Sequence, residues 1–124
     1  MRCLIVDDSA AFREAAATML ERAGIDVVGM AATEQEALSF NQELRPDVIL
    51  VDIDLGAESG FDVVAALHRA GPPEPAVILI STHAEQDFTD LIADSAALGF
   101  LPKFALSPES IRELVAGASG SPDT

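Results

Sequence analysis

The eight residues Asp47-Val48-Ile49-Leu50-Val51-Asp52-Ile53-Asp54 constrain this chain more than any other stretch. Four apolar residues lie between acids, and Pro46 in front of them cannot continue a helix. An unbroken apolar run of this length reads as a strand buried on both faces, the central kind found in parallel sheets. Such a strand delivers the residue after it to the carboxyl edge of the sheet, where open α/β folds bind ligands. That residue is a carboxylate, Asp52, so it is the candidate reactive group.

The flanking sequence repeats the theme. Arg2-Cys3-Leu4-Ile5-Val6 reads as a second buried strand and ends in Asp7-Asp8. Phe12, Ala15, Ala16, Met19, Leu20 and Ala23 form the stripe of an amphipathic helix, with Ser9 as N-cap and Gly24 just past its end. Ile25 to Met30 reads as a short strand, and Thr33-Glu34-Gln35-Glu36 as a capping box opening a helix to about Leu44. Gly56 and Gly60 bracket a loop, after which Phe61 to Arg69 is helical and stops at Gly71-Pro72-Pro73. Ala76 to Ile80 is a fourth strand. A helix with Phe88, Leu91, Ile92 and Ser95 on one face is expected next, ending at Gly99, before a short fifth strand at Phe100-Leu101. Ser107-Pro108 supplies the N-cap and first residue of a last helix with Ile111, Leu114, Val115 and Ala118 on its face.

Five alternations with short connections predict an α/β fold: a doubly wound five-stranded parallel sheet with helices on both faces and right-handed crossovers. Residues 1–118 are expected to form one domain, read as stand-alone, and 119–124 a disordered tail. A net charge of −14 argues against direct nucleic-acid binding. No apolar run approaches the roughly 20 residues that span a bilayer, and no signal peptide is present, so a cytoplasmic location is expected. Cys3, the single cysteine, is expected to be core filler. With two histidines and one cysteine, no zinc site is expected.

In this layout the strand ends bring Asp7, Asp8, Asp52, Asp54, Ser81, Thr82 and Lys103 to one edge. Crowded carboxylates raise one another's pKa unless a cation neutralises them. Mg²⁺ suits such a site, and a lysine and a hydroxyl opposite the acids suit a phosphoryl group. Phosphoryl transfer onto a carboxylate follows, with positioning and charge neutralisation as the protein's contribution.

Val6-Asp7-Asp8-Ser9, the run from Pro46 to Asp52, Gly60, Ile78-Leu79-Ile80-Ser81-Thr82 and Gly99-Phe100-Leu101-Pro102-Lys103 together resemble the receiver domain of two-component response regulators, of the single-domain, chemotaxis-regulator-like kind with a flavodoxin-like fold. The resemblance spans about residues 2–117. It implies that Asp52 accepts a phosphoryl group from a sensor histidine kinase or histidine phosphotransfer protein, and that the domain is not a turnover enzyme. It implies Asp8 and Asp52 as direct Mg²⁺ ligands, Asp7 as a ligand through water, and the backbone carbonyl of Asp54 as another. Ser81 and Phe100 would be the switch pair, reporting to a downstream partner on the face of the fourth helix, fifth strand and last helix. Lys103 would pair with phosphoryl oxygens, while Asp54, Thr82 and His83 would modulate the site mouth.

Three departures accompany the resemblance. Gly56 stands where the family usually has proline, which predicts a more mobile loop. Phe104 follows the lysine where a cis proline is common; a cis non-proline bond costs about 3–4 kcal/mol, so the bond is expected to be trans. Phe100 lacks a hydroxyl, so only packing can drive its swing. Three rival functions are weighed against this reading, of which a degenerate receiver that binds partners without phosphorylation is disfavoured by the presence of all five key residues. The Asp52-Ile53-Asp54 motif also resembles the nucleophile motif of haloacid-dehalogenase-type, Mg²⁺-dependent phosphohydrolases, but the chain has no room for a cap domain. A flavodoxin-type binding module would need a phosphate-cradling loop where Asp7 and Asp8 stand.

Overall fold

The computed structural model describes the backbone of residues 1–119 and the side chains of residues 1–117. The expected sheet is present. β1 (Arg2–Val6), β2 (Asp26–Ala31), β3 (Val48–Asp52), β6 (Ala76–Ser81) and β7 (Gly99–Pro102) form one parallel sheet in the order β2-β1-β3-β6-β7. β3 is central, and every one of its residues is buried. The reason is the alternation of its side chains between two cores. Ile49 and Val51 join Leu4, Val6, Val77 and Leu79 on one face, where α2 (Glu34–Leu44) and α3 (Gly60–Arg69) pack. Val48 and Leu50 join Cys3, Ile5, Ile78 and Ile80 on the other, against α1 (Ala10–Arg22) and α5 (Pro108–Ser119). Two faces covered by helices leave no solvent side, so no polar alternation appears in these strands.

The caps behave as the sequence predicts, with one change. Ser9 Oγ accepts from the Phe12 N–H at 3.2 Å, and Gly24 has φ +87°. Thr33 Oγ accepts from the Glu36 N–H at 3.2 Å, but Glu36 Oε1 accepts from Ala32, one residue before the cap, at 2.8 Å.

Two expectations need correction. The segment after β6 does not form a long helix. A 3₁₀ turn at Glu85–Asp87 leads into a five-residue α4 (Thr89–Ala93). Ser95 ends it, because its hydroxyl donates to the Ile92 carbonyl at 2.8 Å and accepts from the Ala97 N–H at 3.2 Å, drawing the backbone out of the helix. Leu91, expected on the buried face, is 54% exposed, while Phe88 and Ile92 pack inward. The bracket between Gly56 and Gly60 is also more than a loop: β4 (Asp54–Leu55) pairs antiparallel with β5 (Glu58–Ser59). Gly56 opens its two-residue turn at φ +66°, a conformation closed to proline.

The expected tail, 119–124, mostly lies outside the described residues, as does the side chain of Ala118; Ser119 is the last residue of α5. Among the described residues no helix is long and apolar enough to cross a membrane.

Candidate functional site

Three connections place the acids at the carboxyl edge. β1 ends at Val6, and Asp7 continues its line with an N–H that donates to the Ala31 carbonyl at 2.9 Å. The chain then turns into α1. The Ser9 N–H donates to Asp7 Oδ1 at 2.8 Å, and Arg13 Nη1 donates to the Asp7 carbonyl at 2.6 Å. Asp7 is fully buried, Asp8 is exposed and Asp52 is 5% exposed. One carboxylate oxygen from each of these three lies within 4.8 Å of the others.

Lys103, at the end of β7, reaches back into this cluster. Its ammonium donates to Asp52 Oδ2 at 3.1 Å and lies 2.7 Å from Asp7 Oδ2. The Asp7 contact is an ion pair made inside the protein, since Asp7 is fully buried. Three carboxylates gathered around a single ammonium leave a net negative, all-oxygen donor set, which fits a hard divalent ion.

Burial raises the Asp52 carboxyl to about 6; the charge of Asp7 adds to this, while the Asp54 N–H, 3.1 Å from Oδ1, and Lys103 pull the other way. For Lys103, desolvation works downward, but Asp7 and Asp52 outweigh it and leave the ammonium above its ordinary pKa. The lysine is therefore charged throughout the neutral range.

The β3–α3 connection passes so close behind Asp52 that only glycine fits at position 60. A Cβ there would stand 2.2 Å from the Asp52 carbonyl oxygen. The Gly60 N–H meanwhile donates to the Ile53 carbonyl at 2.8 Å, fixing the strand end that carries Asp52.

The remaining predicted residues sit around this centre. Ser81 is fully buried at the end of β6, and its Oγ accepts from the His83 N–H at 2.9 Å. Thr82 and His83 are exposed. The Asp54 carboxylate does not join the acid cluster; it is 70% exposed and faces His83, with Nε2 to Oδ2 at 3.8 Å. His83 meets Phe88 edge to face, ring centroids 6.1 Å apart. Phe100 is already inward, 7% exposed within the α2–α3 side core. The Lys103–Phe104 bond is trans, and Phe104 stands 87% exposed. Reading for core and strand ends missed Phe12, whose ring lies under the Lys103 ammonium. The signal available was its place in the first turn of the helix that follows Asp8.

A doubly wound sheet in this strand order, with an acid cluster and a converging lysine at its carboxyl edge, defines a flavodoxin-like α/β domain with a donor set that could hold a cation beside a carboxylate. The sequence model of the response regulator receiver domain matches residues 3–116, and the chain belongs to that family. Over 104 residues it is 38% identical to a protein-glutamate methylesterase/protein-glutamine glutaminase of Alkalilimnicola ehrlichii, covering 83% of this chain and 27% of that protein. It is 37% identical over 120 residues to the nitrate/nitrite response regulator protein NarP of Escherichia coli, covering 95% and 55%. Among solved structures it resembles the signal receiver domain of NarL from Mycobacterium tuberculosis, with TM-score 0.82, 32% identity and 96% of each chain covered. The chain thus spans about a quarter to a half of the length of these curated relatives. Receiver domains are signalling domains of two-component systems that interact with histidine kinases and downstream effectors, and their acidic pocket binds Mg²⁺. Family membership lends no support to the phosphohydrolase alternative.

Proposed function

We propose that this domain is a phosphoacceptor: Asp52 takes a phosphoryl group, in the presence of Mg²⁺, from the phosphohistidine of a sensor kinase or phosphotransfer protein. The observation that carries the reading is the convergence of three acids within 4.8 Å with Lys103 Nζ 3.1 Å from Asp52 Oδ2. Asp8 and Asp52 would hold the ion directly, Asp7 through water, and the Asp54 carbonyl would complete the set. Bound there, Mg²⁺ supplies the positive charge that lets a phosphate dianion approach a carboxylate.

In the transfer, an Asp52 oxygen forms a bond to phosphorus as the bond from phosphorus to the donor imidazole nitrogen breaks; that nitrogen keeps the electron pair and takes up a proton. Lys103 is already against the acceptor carboxylate and can swing a donor N–H to the arriving phosphoryl oxygen. Ser81 Oγ accepts the His83 N–H, so its own proton remains to be donated to a phosphoryl oxygen. That new bond is the switch: it moves the β6–α4 connection, whose Phe88 packs on the core that holds Phe100, and so alters the α4–β7–α5 face offered to a protein partner. Asp54, Thr82 and His83 ring the mouth and govern access of the water that later hydrolyses the acyl phosphate. The domain would act in the cytoplasm, without membrane insertion or direct nucleic-acid contact.

Incubation with acetyl phosphate and Mg²⁺ followed by intact-mass measurement tests the reading. Wild type should gain one phosphoryl group and Asp52→Asn none; equal labelling of the two would refute it. Steady release of p-nitrophenol from p-nitrophenyl phosphate would instead indicate a turnover enzyme. An unchanged phosphoryl half-life in Asp54→Asn would remove that residue from the mouth.

A further inference from the structure

Lys103 Nζ sits 4.2 Å from the centroid of the Phe12 ring, while the same nitrogen contacts Asp7 and Asp52. Its side chain is 16% exposed, so the ammonium is largely enclosed by two carboxylates from the strand ends and one aromatic face from α1. Phe12 is fixed in this place from two directions. Its N–H donates to the Ser9 cap, and its partly buried side chain packs against the core shared by α1 and α5.

An aromatic face offers this lysine something that neither an aliphatic nor an oxygen-bearing side chain would. The negative face of the ring attracts the cation. Yet the ring adds no formal charge to a pocket that already holds three acids, and it brings no carboxylate or carbonyl to capture an N–H. The ammonium is held while its donors stay free for Asp52 and, after transfer, for a phosphoryl oxygen. A flexible four-carbon stem otherwise has many rotamers to lose when the donor arrives.

We propose that Phe12 is a positioning residue of the phosphoacceptor site, its ring acting through Lys103 to keep the ammonium against Asp52 in the geometry that receives the phosphoryl group. This rests on the phosphoacceptor reading above. The prediction concerns the aromatic face and not side-chain volume.

The experiment compares initial rates of phosphorylation by acetyl phosphate with Mg²⁺ for Phe12→Leu, Phe12→Met, Phe12→Tyr and Phe12→Trp, each first checked for wild-type secondary structure by circular dichroism. Leu and Met should slow the reaction about three- to ten-fold, and Tyr or Trp should restore it, as loss of a cation–π contact predicts. A double-mutant cycle supplies the second readout: in the Lys103→Ala background, Phe12→Leu should cause no further slowing. Slowing by Leu of equal size with and without Lys103, or identical rates for the aliphatic and aromatic variants, overturns the proposal. If Lys103→Ala labels too slowly to measure, the contrast between aliphatic and aromatic variants decides alone. Failure of wild type itself to be labelled would strike the phosphoacceptor reading; labelling of wild type with no aromatic contrast strikes only this inference.

Discussion

Replacing Asp52 by asparagine should stabilise the metal-free domain at neutral pH. Asp52 is 5% exposed, and burial lifts its carboxyl to about 6 from an ordinary 3.8. The folded chain therefore holds this proton more tightly than the unfolded chain does. Stability from this residue is fully present below the unfolded pKa and is lost as pH rises through the folded one. A gap of about two units corresponds to about 3 kcal/mol lost by wild type at neutral pH, an upper figure because the neighbouring Lys103 loses its partner in the variant. Asparagine keeps the shape and the acceptor for the Asp54 N–H but cannot ionise. The advantage of Asp52→Asn should shrink by roughly 1.5 kcal/mol between about pH 7.5 and about pH 5. Acids that do not interact with Asp52 titrate alike in both proteins and cancel, as does any constant difference in packing. Urea melts in EDTA, followed by far-ultraviolet circular dichroism because the chain has no Trp or Tyr, measure this directly. Parallel pH profiles for the two proteins would show that Asp52 is not held in a desolvated, acid-crowded site.

The same structure fixes three further expectations. Mg²⁺ should raise the thermal midpoint of wild type, and Asp8→Asn should remove most of that shift; equal shifts in both proteins would separate Asp8 from the ion. Gly60→Ala should cost about 3 kcal/mol in urea melts, because its Cβ would sit 2.2 Å from the backbone oxygen of Asp52. A cost near zero would mean that the β3–α3 connection can move away from Asp52. The Cys3 thiol, fully buried and pushed up to about 12 by desolvation, should react with a thiol reagent only as the domain unfolds. Rapid labelling of the native protein at mildly alkaline pH would contradict that burial.

What the sequence makes legible here follows from how many residues carry each signal. β1, β3 and β6 are covered by helices on both faces, so each is written as an unbroken apolar run that no solvent-facing requirement interrupts. The acids and the lysine are then located by strand ends alone, since a parallel sheet sends all its carboxyl ends to one edge. The short span of α4 is not legible because the apolar spacing of Phe88, Leu91 and Ile92 fits a longer helix, while one hydroxyl, that of Ser95, competes for the helix carbonyls. The β4–β5 hairpin has two residues per strand, too few to show any alternation. The electrostatics are legible in sign but not in cause: crowding of the acids predicts a raised Asp52 carboxyl, whereas burial is the larger contribution. Phe12 marks the boundary most clearly. Its periodicity places it on the inner stripe of α1, where a core role accounts for it. Only the height of the first helical turn above the sheet edge brings that ring beneath the ammonium. A residue can serve the core with the body of its side chain and the site with its face, and one-dimensional periodicity records only the first.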